Sequence, residues 1–140
     1  MTMSRKLERP RLLVADDDVS RLWLRVALSP FRAHVAEARN GHEFLDALAD
    51  QGPYDLVITD AALPRPSGLQ VASMARTAGV ETPFVVLSSS LDPDVAKTVR
   101  AIGHAVLLGK PFERATLVGV VHRLLERGLR AFDPASRERA

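Results

Sequence analysis

Four apolar runs of strand length in this sequence each end on a side chain that could do chemistry. Leu12-Leu13-Val14-Ala15 runs into Asp16-Asp17-Asp18, and Leu56-Val57-Ile58-Thr59 ends on Asp60. Phe84 to Leu87 ends on Ser88, and Ala105 to Leu108 leads through Gly109 to Lys110. In a parallel sheet all the C-terminal strand ends point the same way, so Asp16, Asp17, Asp60, Ser88 and Lys110 would meet in one crevice, where open α/β sheets bind ligands. Neighbouring carboxylates repel and raise one another's pKa unless a cation joins them. A hard divalent ion suits such a set. Mg²⁺ in particular favours one or two carboxylates, with waters and phosphate oxygens completing its shell. A dication flanked by an ammonium and a hydroxyl is equipment for stabilising a phosphoryl group in transfer. Asp60, at the mouth of the most apolar strand, is the candidate nucleophile.

The elements that must position these groups alternate in type along the chain, as βα units with a parallel sheet do. The first strand is expected over 11–15. A helix follows over 20–29, with Trp23, Leu24, Ala27 and Leu28 inward and Pro30 closing it. The second strand covers 34–37. Asn40-Gly41 turns into a helix with Phe44, Leu45 and Leu48 inward, stopped by Gly52-Pro53. After the strand ending at Asp60, Pro64, Pro66 and Gly68 force a turn into a third helix over 69–77. A strand over 84–87 precedes Asp92-Pro93, an N-cap followed by proline at the first helical position, and a helix to about Ile102. The fifth strand spans 105–108. The last helix, 113–127, carries Leu117, Val120, Val121, Leu124 and Leu125 at helical spacing and is expected to end at Gly128. The reading is one domain over 11–128, between an N-terminal tail (1–10) and a polar C-terminal tail (129–140).

Composition narrows the function classes. The 140 residues suffice for one domain with a real core, and 46% hydrophobic with 26% charged residues is ordinary for a soluble globular chain. Without cysteine there are neither disulfides nor thiolate metal sites. No run approaches the roughly 20 apolar residues of a membrane span, and the N-terminus lacks a signal-peptide core, so a cytoplasmic protein is expected. A net charge of +2 does not argue for direct nucleic-acid binding, and the arginines of both tails read as solvated ends. His34, His42, His104 and His122 show no ligand spacing. Lysine occurs only at Lys6, Lys97 and Lys110, so its use at a strand end suggests that a compact charge is wanted there.

Five segments, Leu12 to Asp18, Glu37 to Glu43, Asp55 to Gly68, Ser88, and Lys110-Pro111-Phe112, together resemble the receiver domain of two-component response regulators. The resemblance covers about residues 11–127. It implies a flavodoxin-like (βα)5 three-layer sandwich with a parallel sheet of order 2-1-3-4-5. Asp60 would be phosphorylated by a histidine kinase or a histidine phosphotransfer protein. Asp17 and Asp60 would bind Mg²⁺ (or Mn²⁺) directly, Asp16 through water, and the Ala62 carbonyl would be a backbone ligand. Lys110 would pair with phosphoryl oxygens, the Ser88 hydroxyl would move in to bond one of them, and Lys110-Pro111 would be cis. Signalling would pass to a downstream protein partner, or to a second copy, through the face of the fourth helix, fifth strand and fifth helix. The chain would thus be a signalling receiver, with no enzyme activity beyond its own phosphorylation and dephosphorylation.

This sequence also departs from the family pattern. Leu107 stands where a switch aromatic is usual, and Ala62 offers no polar side chain over the crevice. The loop between Asp17 and the first helix reads as one residue short, an alignment that keeps Arg25 out of the core. Two alternatives follow from the same residues. One is a haloacid-dehalogenase-like phosphatase with Asp16 as nucleophile, which lacks the acidic pair needed after its lysine; only Glu113, Glu126 and Asp133 are available. The other is a receiver-like scaffold that takes no phosphate.

Overall fold

The computed structural model describes residues 9–131. Strands β1 (Arg11–Ala15), β2 (His34–Ala38), β3 (Leu56–Asp60), β4 (Phe84–Ser88) and β5 (Ala105–Gly109) alternate with helices α1 (Asp18–Ala27), α2 (Gly41–Asp50), α3 (Gly68–Thr77), α4 (Pro93–Ile102) and α5 (Arg114–Ala131). A 3₁₀ turn, Ser29–Phe31, follows α1. All strand pairs are parallel, in the order β2-β1-β3-β4-β5, as expected for a flavodoxin-like sandwich.

Apart from the edge strand β2, the strands are near-continuous apolar runs because helices cover both faces of the sheet. One layer of core joins Leu12, Val14, Leu56, Ile58, Val85 and Leu87 to α1 and α5, through Leu24, Leu28, Leu117 and Val121. The other joins Leu13, Val57 and Phe84 to α2 and α3, through Phe44, Ala47, Val71 and Ala72. The alternation of side chains along each strand produces the two layers: even-numbered positions of β1 and β3 face one way and odd-numbered ones the other.

The structure revises the expected elements at several points. Helix α1 starts two residues early, at Asp18, because Asp17 caps it with no intervening loop residue. Leu24, Ala27 and Leu28 are buried as expected, but Trp23 is 43% exposed. Trp23 sits one position beyond the edge of the buried stripe. Arg21, at 12% side-chain exposure, and not Arg25, at 60%, is the inward arginine. In α2 the buried positions are Gly41, Phe44 and Ala47, with Leu45 and Leu48 at the margin. Strands β2, β4 and β5 each run one residue longer than expected.

Helix α5 continues through Gly128 to Ala131. A helical glycine costs about 1 kcal/mol relative to alanine, which neighbouring helix formers outweigh, so the expected stop does not occur. The rest of the two expected tails, residues 1–8 and 132–140, lies outside the described residues. Among the described residues no helix is long and apolar enough to cross a membrane.

Candidate functional site

The C-terminal ends of β1, β3 and β5 bring Asp16, Asp60 and Lys110 together. The Lys110 ammonium donates to Asp60 Oδ2 at 3.1 Å and to Asp16 Oδ2 at 3.3 Å, so one cation bridges two strand-end carboxylates. Asp16 is 1% exposed and accepts the Asp17 N–H on its other oxygen at 2.8 Å. Asp60 is more open, with a side chain 20% exposed, and its Oδ1 accepts the Ala62 N–H at 3.0 Å. The more accessible of the two acids is therefore the one at the end of the central strand.

Electrostatics separate the acids further. Burial pushes the Asp16 carboxyl up to about 6, and the Asp60 charge adds to the rise, against the Asp17 N–H and Lys110. Asp17 lies below the usual carboxylate range, chiefly because it accepts the Ser20 N–H at the helix cap. Burial alone would lower the Lys110 ammonium, but the hydrogen bond to Asp60 and the two carboxylate charges outweigh it and hold the group above its usual value. Lys110 is therefore held as a cation at neutral pH.

Other expected site residues are placed differently from one another. Ser88 is 4% exposed at the end of β4, paired with Gly109 across the sheet, and its carbonyl accepts the Lys110 N–H at 2.7 Å. Its hydroxyl accepts the Ser90 N–H at 3.0 Å and makes no bond to Asp60. The Asp17 side chain caps α1 through Oδ1. Ala62 presents its amide to Asp60. Among the described residues no three acidic or histidine side chains converge tightly enough to hold a metal on their own. The donor set still fits Mg²⁺, which takes few protein carboxylates and keeps waters and phosphate oxygens. Lys110-Pro111 is cis, as are Gly52-Pro53 and Arg65-Pro66.

Two glycines that the sequence reading took only as turn residues shape the crevice. Gly68 opens α3 so close to β3 that a Cβ would fall on the Asp60 carbonyl oxygen and press on Thr59 Oγ1. Gly41 opens α2 against Pro66 in the same way. The loop after Asp60 is thus clamped between two helix N-termini. Each is fixed by its cap: Ser67 and Gln70 form a reciprocal capping box, and Asn40 accepts from the Glu43 N–H at 2.9 Å. Ser67-Gly68-x-Gln70 and Asn40-Gly41-x-Glu43 were the available signals, since a glycine directly after an N-cap gains nothing in helix propensity.

Leu107 packs beside Ala61, Val86 and Val99, in a small cluster touching the loop after Asp60, β4 and α4. It fills apolar space at the position where the resemblance would have a switch aromatic.

A parallel doubly wound sheet with two acids and a lysine at its carboxyl edge defines the class of molecule. The chain belongs to the family of response regulator receiver domains, whose family model matches residues 12–122. It is 36% identical over 120 residues to the response regulator MprA of Mycolicibacterium vanbaalenii, covering 84% of this chain and 51% of that one. To transcription factor prr1 of Schizosaccharomyces pombe it is 33% identical over 118 residues, covering 84% and 22%. Among solved structures, the signal receiver domain of an HD domain-containing protein from Pseudomonas fluorescens superposes with a TM-score of 0.79 at 26% identity, covering 86% and 98%. Vibrio cholerae CheY4 superposes with 0.73 at 27%, covering 84% and 99%. The chain therefore spans about half or less of the curated relatives it matches but nearly the whole of these receiver structures. The family match sets aside the phosphatase alternative, which also required the almost fully buried Asp16 as nucleophile.

The raised Asp16 pKa carries a pH prediction. With Asp16 at a dication site, as the resemblance implies, proton and dication would compete for that carboxylate, so Mg²⁺ affinity measured by calorimetry is expected to fall as pH drops through about 6 and to level off above about pH 7. Asp16→Asn should remove the inflection. For folding the sign is opposite. A carboxyl raised from 3.8 stabilises the fold fully below 3.8 and loses that contribution as pH rises through about 6. An Mg²⁺ affinity that stays flat from about pH 5 to 8 would contradict the assignment.

Proposed function

We propose that this chain is a phosphoacceptor module of a His-Asp phosphorelay, with Asp60 as acceptor. The observation carrying this reading is the Lys110 ammonium held at 3.1 Å from the more exposed of two strand-end carboxylates. In the proposed transfer an Asp60 carboxylate oxygen attacks the phosphorus of a phosphohistidine. The P–O bond forms, the P–N bond breaks, and the imidazole leaves with the electron pair. The donor would be a histidine kinase or phosphotransfer protein. Lys110 lies where it can exchange a carboxylate for a phosphoryl oxygen, and Ser88, one strand over, would turn its hydroxyl inward. Asp16, Asp17, Asp60 and the Ala62 carbonyl would hold Mg²⁺, which when bound neutralises charge on the phosphoryl oxygens.

The readout would be partner binding. Ala61 directly follows Asp60 and shares a packed cluster with Val99 of α4 and Leu107 of β5. A shift of the loop after Asp60 would therefore reach the α4-β5-α5 face through contacts, without an aromatic rotamer. The chain acts on this reading as a cytoplasmic signalling domain over residues 11–128, with no reaction of its own beyond phosphoryl gain and loss.

The test is incubation with Mg²⁺ and acetyl phosphate, followed by intact-mass measurement of wild type, Asp60→Asn and Asp16→Asn. Gain of one phosphoryl group, lost in Asp60→Asn, is the expected outcome. An adduct that survives Asp60→Asn and disappears in Asp16→Asn would move the nucleophile to β1. No adduct in wild type under any condition would leave a receiver-shaped scaffold.

A further inference from the structure

Six large apolar side chains are well exposed among the described residues, and four of them lie on α1: Val19 at 79%, Leu22 at 64%, Trp23 at 43% and Val26 at 59%. Their spacing of i, i+3, i+4 and i+7 puts them on one face, opposite the buried Leu24, Ala27 and Leu28. A helix of the sheet's outer layer needs one apolar face; this one has two. Scattered exposed apolar residues need no explanation, but a contiguous stripe marks an interaction surface. Trp23 also meets Phe112 edge-on, with ring centroids 5.6 Å apart, which extends the stripe onto the loop between β5 and α5.

We propose that this face of α1 is a self-association surface, on which a second copy of the chain packs with its own α1 antiparallel. The charges beside the stripe select that occupant. Asp18 and Arg25 lie seven residues apart on the same flank, at opposite ends of the stripe, and both point to solvent, with side chains 82% and 60% exposed. In an antiparallel helix pair each flank faces the same flank of its mate. Centring the contact between Arg21 and Leu22, one residue from the middle of the stripe, therefore places Asp18 of one copy opposite Arg25 of the other, twice, by the two-fold axis. In a parallel pair that flank meets the opposite one, and neither ion pair forms. Within the chain Asp18 already pairs with Arg21, and Arg25 with Glu37 at 3.4 Å, but both remain open enough to accept a second partner. The stripe is self-complementary in shape class and in charge. A face of four side chains is small, so the dimer is weak, with a Kd on the order of 10–100 µM.

The proposal stands independently of Asp60 phosphorylation and is tested on the full chain by sedimentation equilibrium. Wild-type mass should climb with concentration from 15.3 kDa toward twice that value. Leu22→Glu and Val26→Glu should each hold it at one chain, with melting temperatures within about 2 °C of wild type because both positions are exposed. Asp18→Arg or Arg25→Asp alone should weaken Kd at least about tenfold, and the double exchange should restore it. A single-chain mass at every concentration would overturn the proposal and assign the stripe to an unlike partner. A dimer that survives Leu22→Glu, or a double exchange as weak as the single changes, would overturn it equally.

Discussion

Gly68→Ala is expected to lower the melting temperature by on the order of 10 °C and to slow acetyl-phosphate labelling of Asp60 on the order of 100-fold. The added methyl would land on the Asp60 carbonyl oxygen and crowd Thr59 Oγ1, which is itself bonded to that carbonyl at 2.9 Å. Backbone cannot move aside as the end of a flexible side chain can. Overpacking of this kind costs about 3 kcal/mol, and in a domain of this size 1 kcal/mol is worth roughly 3–4 °C. The effect on labelling is separate from the effect on stability. To make room, α3 or the end of β3 must shift, and misplacing a reacting group by about 1 Å can cost on the order of 100-fold in rate. Gly119→Ala is the matched control, because nothing lies within 4 Å of its Cβ position in α5. That variant should gain about 1 kcal/mol and label normally. If Gly68→Ala melts and labels like wild type, the close approach of α3 to Asp60 does not constrain the site.

The second large effect is expected at Arg76, far from the crevice. Its guanidinium donates to five backbone carbonyls: Val80 at 2.7 Å, Thr82 at 2.9 Å, Ile102 at 3.2 Å, Gly103 at 2.8 Å and His104 at 3.1 Å. It also lies 4.8 Å from the centroid of the Phe84 ring. These bonds join the end of α3 to the turn between α4 and β5, where Gly103 and His104 both take positive φ. Burial pulls the guanidinium below its usual pKa, yet it stays charged. Arg76→Ala strands those carbonyls and is expected to cost about 3 kcal/mol, read as a loss on the order of 10 °C in thermal unfolding. Arg76→Lys should recover less than half, because one ammonium cannot fork to five acceptors. Labelling of folded Asp60 should be unchanged in both variants. A loss below about 1 kcal/mol in Arg76→Ala would mean that water replaces the guanidinium at little cost.

The contrast between these two residues explains what could be read in the sequence. Strand ends were legible because burial on both faces leaves a continuous apolar run, and each run stops where a polar side chain begins. Asp16, Asp60 and Lys110 are therefore assignable to one crevice from the sequence alone, and the structure brings those three within hydrogen-bonding reach. Trp23 was misplaced inward because an aromatic beside Leu24 reads as core when the only evidence is periodicity. Nothing local says that Leu22 and Val26 form a second apolar face. Gly68 and Gly41 were legible as turns but not as close approaches, since the atoms they avoid come from other elements. Arg76 was invisible. Its acceptors are main-chain carbonyls, which carry no sequence signature.

The shared ammonium of Lys110 has a consequence for where a signal can travel. One cation bonded to two anions is a balance of three bodies, and a newcomer with greater negative charge draws the ammonium toward itself and away from the partners it already holds. Asp16, nearly sealed from water, is the partner that loses most when its counter-ion turns away. Its neighbour Asp17 is the cap of α1, so charge left on β1 is felt at the first turn of that helix. Phosphate arriving at the centre of the sheet would thus disturb both flanks, the β5 side by attraction and the β1 side by abandonment.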